Sequence, residues 1–247
     1  MKASASEQLD LLDVQERDTR LAQLQHQLTT LPQAAELASA RDRVARLGKE
    51  LVAARTIVSD LEREQAKADA DVDVVRERAR KDRDLMDSGS IGDPKQLQSL
   101  ESELQSLAKR QLELEDIELE VMERLEGAQA AVAHLQGELS AAEETTAQLE
   151  AEVALLESEI AQERSVVLAE REQFVGKISA DLLTLYDKIR AAHSGLGAAR
   201  LYRGRCEGCR LELPPTEIAS LKAAAEDEVL RCEECRCILV RTADSGL

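Results

Sequence analysis

Residues 86–100 read MDSGSIGDPKQLQSL, and the flanks of this stretch decide the fold. Two glycines, two aspartates and a proline fall within the eight residues 87–94, a composition that breaks helices and forms turns. Asp93 is placed to cap a new helix, with Pro94 in the first helical position and Gln96 three residues after the cap. On the N-terminal side, apolar residues recur at alternating steps of three and four: Val44, Leu47, Leu51, Ala54, Val58, Leu61, Ala68, Val72, Val75 and Ala79. Gln65 is the one polar member of that run. The same spacing continues after the turn, through Leu97, Leu100, Leu104, Leu107, Gln111, Leu114, Ile117, Val121 and Leu125 and on to Ile160. It slips between Leu114 and Leu125 and resumes over Val167, Phe174, Ile178, Leu182, Leu185 and Ile189. A heptad seam needs a partner helix. A tight turn between two such helices tethers that partner, so an antiparallel coiled-coil hairpin is expected, with its turn at 87–93.

The hairpin extends to both sides of this centre. A first helix is expected from about Ser6 to Thr30, with Leu9, Leu12, Leu21, Leu24, Leu28 and Leu31 along one side. Pro32 then kinks or breaks it by removing a backbone donor. The helix that starts at Pro94 meets no further proline and is expected to run to about Ala192. Composition agrees: the 247 residues are 33% charged, with one Phe, two Tyr and no Trp, too few aromatics for an ordinary globular core of this size. No stretch approaches the roughly 18 uncharged apolar residues of a membrane span, and the N-terminus lacks the apolar region of a secretory signal. A cytoplasmic protein is expected, and in that setting five cysteines point to metal or reactive thiols rather than to disulfides.

Beyond Gly195 the helical period ends, and all five cysteines follow. Cys206-Glu-Gly-Cys209 and Cys232-Glu-Glu-Cys235 are two C-x2-C pairs with 22 residues between them. Each pair turns two thiolates to one side, and two facing pairs make a tetrahedral S4 site of the kind that holds structural Zn2+. Iron is the other metal such a set takes. Short alternating runs flank both pairs, as in small strands, so the tail is expected to be a β zinc ribbon. The domains are set at 1–193 for the hairpin and 194–247 for the ribbon, giving a mainly α protein with one small β module. Cys237, one residue past Cys235, is expected to be a small half-buried side chain on the emerging strand; a spare ligand exchanging with Cys235 is the second reading.

The net charge of −17 is uneven. From Lys188 onward ten basic groups face nine acidic ones, leaving 22 against 40 before it. The acidic helical part repels phosphate, so nucleic acid has its best approach at the tail. There Arg203, Arg205, Arg210, Arg231, Arg236 and Arg241, with Tyr202 for stacking, are candidate contacts; charge compensation around four thiolates is the competing role. Nothing resembles a catalytic constellation or a small-molecule site, so no enzyme is expected. A thiol-redox enzyme using Cys237 is the weakest of the readings.

With these residues in hand the chain resembles a bacterial family of coiled-coil proteins with a C-terminal C4-type zinc ribbon. DPKQLQSLESELQSL after the turn, LEDIELEVMERLE, YDKIRAAHSGLGAA before the ribbon, and the two C-x2-C pairs closing on CILVR carry the likeness over essentially the whole chain. The composition suggests an actinobacterial member. The resemblance implies a kinked hairpin bearing one structural Zn2+ on Cys206, Cys209, Cys232 and Cys235. It further implies binding roles, toward sigma-factor, flagellar or secretion partners and nucleic acid. Where that family commonly reads Gly-Arg-Ile-Leu after the fourth cysteine, this chain has Arg236-Cys237-Ile238-Leu239, so some strain in the second knuckle is expected. Two functions follow: a zinc ribbon touching RNA or DNA with the coiled coil as protein scaffold, or an adaptor or chaperone for protein partners alone.

Overall fold

The computed structural model describes all residues 1–247. Its elements are α1 (Ala5–Thr29), α2 (Pro32–Asp87), α3 (Pro94–Val175), α4 (Ala180–Ala192), β1 (Ala198–Tyr202), β2 (Arg205–Cys206), α5 (Pro215–Ala223), β3 (Leu230–Arg231) and β4 (Ile238–Val240). They form two compact units: one of residues 36–150, the other of 1–35 with 151–247. No helix is long and apolar enough to cross a membrane.

The 36–150 unit is the antiparallel hairpin. Every α2 seam residue named above from Val44 to Ala79 is buried or half-buried, with Val72 1% and Ala79 2% exposed. Ion pairs flank the seam: Arg41 with Glu150, Arg124 with Glu64, Arg76 with Glu115 and Arg78 with Glu103. Rising numbers on α2 meet falling numbers on α3, as an antiparallel pair requires. At the turn Gly89 takes φ +66°, the left-handed conformation that glycine adopts without a Cβ clash. Asp93 Oδ1 accepts the Lys95 N–H at 3.0 Å, capping α3 as its residue type predicts. In the slipped region the seam passes through half-buried Glu118, whereas Ile117 is 47% exposed. That corrects the expected register there: steps of three and four run through Gln111, Leu114, Glu118, Val121 and Leu125.

In the other unit α1 runs antiparallel to the end of α3, with Arg20 pairing Glu163 and Arg17 pairing Glu170. The break at Thr30–Leu31, before Pro32, falls where the proline predicts it. Two expectations fail here. The last long helix does not reach Ala192 unbroken: α3 ends at Val175, and α4 starts after Ser179. The interruption turns Ile178 inward beside Leu182, Tyr186 and Ile189, and the Ser179 N–H it frees is taken up by Glu7 Oε1 at 3.0 Å. The apolar stripe of α1 is also differently placed. Leu9 is 45% exposed, while Leu11 and Val14 are fully buried together with polar Gln8, Gln15 and Asp18. This helix packs against α4 and the sheet as well as α3, so its buried face is wider than a coiled-coil seam.

The sheet order is β2-β1-β4-β3, with β1 and β4 parallel and both outer pairs antiparallel. Successive residues of a strand point to opposite faces, and both faces here are covered. Ala198, Ile238 and Val240 join Leu11, Val14 and Tyr186 in one core. Ala199, Leu201 and Leu239 join the cysteines, Leu213 and Leu221 in the other. The uninterrupted apolar run CILV is therefore a strand buried on both sides. The chain start adds a further edge, with Ala3 N–H donating to Asp227 O (2.8 Å) and Val229 N–H to Met1 O (3.1 Å).

Candidate metal centre

Both C-x2-C turns use the same backbone scheme. In the first, the Arg210 N–H donates to Cys206 O and the Cys206 N–H donates to Leu211 O. In the second, the Arg236 N–H donates to Cys232 O and the Cys232 N–H donates to Cys237 O. The residue after each second cysteine is left-handed, Arg210 at φ 62° and Arg236 at φ 60°. A non-glycine residue pays steric strain there, which bears out the expectation raised by the missing glycine. The scheme also makes Leu211 and Cys237 equivalent positions of the two turns.

These turns bring the sulfurs of Cys206, Cys209, Cys232 and Cys235 within 4.8 Å of one another. Cys206 Sγ lies 3.7 Å from Cys235 Sγ, and Cys209 Sγ 3.9 Å from Cys232 Sγ. A Zn–S bond of about 2.3 Å in a tetrahedron requires an S···S edge of about 3.8 Å, so the donor set fits a zinc ion. Cys206 and Cys232 are fully buried, while Cys209 and Cys235 are partly exposed. The Cys206 thiol is drawn down to about 4, first by the hydrogen bond from the Cys237 thiol and then by backbone N–H groups of Cys209 and Gly208, against the opposing effect of burial. Cys237 is pushed up, first by that same bond to the Cys206 sulfur and then by burial. Burial pushes Cys209 and Cys232 up as well. Four thiolates leave a zinc ion no open position, so the metal chemistry on offer is structural.

A family model described as the C4-type zinc ribbon domain matches residues 205–239, and one described as the CT398-like coiled coil hairpin domain matches residues 14–194. The chain belongs to the CT398-like coiled-coil hairpin family. This CT398-like chain is 37% identical over 248 residues, covering 98% of each chain, to an uncharacterized protein of Mycobacterium tuberculosis. To one of Mycobacterium leprae it is 29% identical over 226 residues, 88% of this chain and 93% of the other. A solved structure from Mycobacterium smegmatis aligns with TM-score 0.83 at 33% identity, over 98% of this chain and 100% of that one. CT398 of Chlamydia trachomatis aligns with TM-score 0.50 at 18% identity, over 96% and 98% of the two chains, a likeness of fold. The CT398-like ribbon thus carries one structural zinc, and the likeness to actinobacterial chains agrees with the composition.

The candidate nucleic-acid residues divide into two groups. Arg241 is committed to backbone: Nη1 donates to Leu221 O and Ala224 O, and Nη2 to Ala225 O and Glu228 O. It anchors the chain that follows α5. Arg231 Nε donates to Arg236 O at 3.0 Å, and Arg205 pairs with Glu207 at 3.2 Å. Arg203 lies over the Tyr202 ring, 5.3 Å from its centroid. Arg203, Arg205, Arg210, Arg231 and Arg236 are all exposed, and Tyr202 is half-buried.

Sequence reasoning missed the polar side chains that dock α1. Gln15 Oε1 accepts from Gly197 N–H (2.6 Å) and Ala198 N–H (3.1 Å), and its Nε2 donates to Gly195 O (3.0 Å). Asp18 binds Arg171, Arg190 and the Tyr186 hydroxyl. Burial and the bond to Asp18 raise the Tyr186 hydroxyl far above its ordinary value. The sequence signal was present but faint: Gln8, Gln15 and Asp18 recur at helical spacing on the side opposite the leucine stripe.

Proposed function

We propose that this chain is a non-enzymatic, cytoplasmic interaction protein whose ribbon, residues 194–247, holds one zinc ion on Cys206, Cys209, Cys232 and Cys235 and contacts nucleic acid. The hairpin, within residues 1–193, serves as the protein-binding scaffold. The observation that carries the nucleic-acid arm is that Arg210 and Arg236 occupy the same exposed place in the two knuckles, while exposed Arg203 lies over the Tyr202 ring. Exposed arginine and aromatic faces are the groups that take up phosphate and unstacked bases. Arg241, held by four carbonyls, leaves the contact set. The test is polarisation binding of the full zinc-loaded chain to single-stranded RNA across salt, with R203A, R210A and R236A. Each lost phosphate contact reduces the salt slope by about 0.7. No binding at about 50 mM salt would sink this arm.

The adaptor reading has its own observation. Leu112, Leu119 and Met122 of α3 are 64%, 57% and 43% exposed, beside the seam rather than in it. Pull-downs with the full chain and with L119E/M122E read this surface; identical partner sets would remove it as a binding face.

A further inference from the structure

Cys237 stands outside the four-cysteine set, yet its sulfur lies within the same cluster. Its Sγ is 3.1 Å from that of Cys235 and 3.8 Å from that of Cys206. Its equivalent in the first knuckle, Leu211, is 50% exposed, whereas Cys237 is fully buried. Two residues of extended strand would span about 6.6 Å, but the left-handed bend at Arg236 folds Cys235 and Cys237 together. Gly208 closes the other side, since a Cβ there would stand 3.3 Å from Cys237 Sγ. A solvent-borne oxidant meets the partly exposed sulfurs, Cys209 and Cys235, first. Of these two, Cys235 is the one in contact with the fifth sulfur.

We infer that Cys235 and Cys237 form a reversible thiol pair through which hydrogen peroxide releases the zinc ion. The inference rests on the assignment of Cys235 as a zinc ligand. The Cys235 sulfur attacks one peroxide oxygen; the O–O bond breaks, leaving Cys235 sulfenic acid and hydroxide, which takes a solvent proton to become water. The Cys237 sulfur then attacks the Cys235 sulfur. The S–S bond forms, the S–O bond breaks, and the Cys237 proton leaves with the hydroxyl as a second water. Two thiol groups have reduced one peroxide. The thiolate is the form that binds metal, so the zinc ion keeps three ligands and is released. A dithiol such as dithiothreitol reverses the bond by exchange. Without Cys237 the sulfenic acid proceeds to sulfinic acid, which thiols do not reduce.

The experiment uses the full zinc-loaded chain. Zinc per chain is measured before peroxide, after it, and after dithiothreitol with added zinc, alongside intact mass and tryptic mapping. Cleavage after Arg236 separates the two cysteines, so their bond appears as two joined peptides, and fragmentation distinguishes Cys235 from Cys232. The expected result is near-complete zinc loss, a mass lower by two hydrogens, a Cys235–Cys237 linkage and full recovery. C237A is expected to start with the same zinc, gain two oxygens at Cys235 and fail to recover. A different disulfide in the wild-type chain, or recovery of C237A to the wild-type level, overturns the inference. Should C237A not fold, the wild-type linkage map decides alone. A chain purified without zinc would overturn the metal assignment instead, and the linkage map would still decide the thiol pair.

Discussion

The Asp18 cluster allows a prediction with a worked magnitude. Asp18 is 2% exposed; its Oδ1 lies 2.7 Å from Arg171 Nε and 3.4 Å from an Arg190 nitrogen, and its Oδ2 accepts the Tyr186 hydroxyl at 2.7 Å. D18N keeps the shape but sets an NH2 group against donors and leaves two arginines without their anion. Removing one partner of a buried ion pair costs about 3–5 kcal/mol. Arg171 and Arg190 retain 22% and 33% side-chain exposure, so water recovers part of the loss, and the lower end, about 3 kcal/mol, applies. Y186F removes one hydrogen bond to a charged group, about 2 kcal/mol. The double variant should fall short of the sum, because both changes break the same bond. The two units need not unfold together, which would blur a helix signal. Tyrosine emission avoids this, since Tyr186 and Tyr202 both belong to the unit containing the ribbon, and Tyr202 still reports in Y186F. Urea titrations at fixed zinc should shift the midpoint at constant slope. A D18N chain within about 0.5 kcal/mol of wild type, the range of ordinary surface changes, would refute the idea that this network clamps α1.

Three further outcomes follow from single sites. A Cβ on Gly197 would stand 2.5 Å from two ring carbons of Tyr186, so G197A should cost about 2–3 kcal/mol through overpacking, read by the same emission; an unchanged midpoint would contradict the packing described. Glu7, whose carboxylate accepts from Ser4 backbone and hydroxyl and then from the Ser179 N–H, is held down from 4.5 to about 2. Its stabilisation is therefore complete above pH 4.5 and disappears as pH falls toward 2. A Glu7 carboxyl 13C titration should centre near 2, and the gap between wild type and E7Q should close over that interval; a midpoint near 4.5 would be the failure. At Arg236, R236G should match or exceed wild type by up to about 1 kcal/mol, and R236V should fall below it, because left-handed backbone is worst for a β-branched residue. The reverse order of melting temperatures would show that the turn relaxes around its side chain.

The hairpin and the four clustered cysteines were legible because each depends on short-range pattern. The α2 seam from Val44 to Ala79 faces one partner, so a single 3–4 spacing describes it. Asp93-Pro94 and the C-x2-C pairs are local chemistry. What escaped depends on several neighbours at once. In α1 a leucine stripe pointed to Leu9 and Leu12, but three packed elements drew Leu11, Val14, Gln15 and Asp18 inward. The start of α4 was written as Gly176 followed by Ser179 and Asp181, a cap and an acidic first turn, yet an unbroken leucine period outweighed it. The parallel pairing of β1 with β4 leaves no trace in either strand alone. Ile117 was assigned to the seam because it is apolar, while the geometry runs the seam through Glu118.

The two-faced strand β4 has a consequence for the order in which the molecule can be completed. The surface on which residues 3–18 pack includes Ile238 and Val240, made some 220 positions later. Contacts this distant along a chain are slow to form, and the elements waiting for them stay exposed meanwhile. During synthesis α1 can pair with nothing of its final surroundings until the end of α3, then α4 and then the last strand arrive. Its buried polar face, Gln8, Gln15 and Asp18, keeps the waiting helix from being a bare apolar surface. Helix α1 is thus made long before its native contacts are complete, and its sequence is suited to that delay.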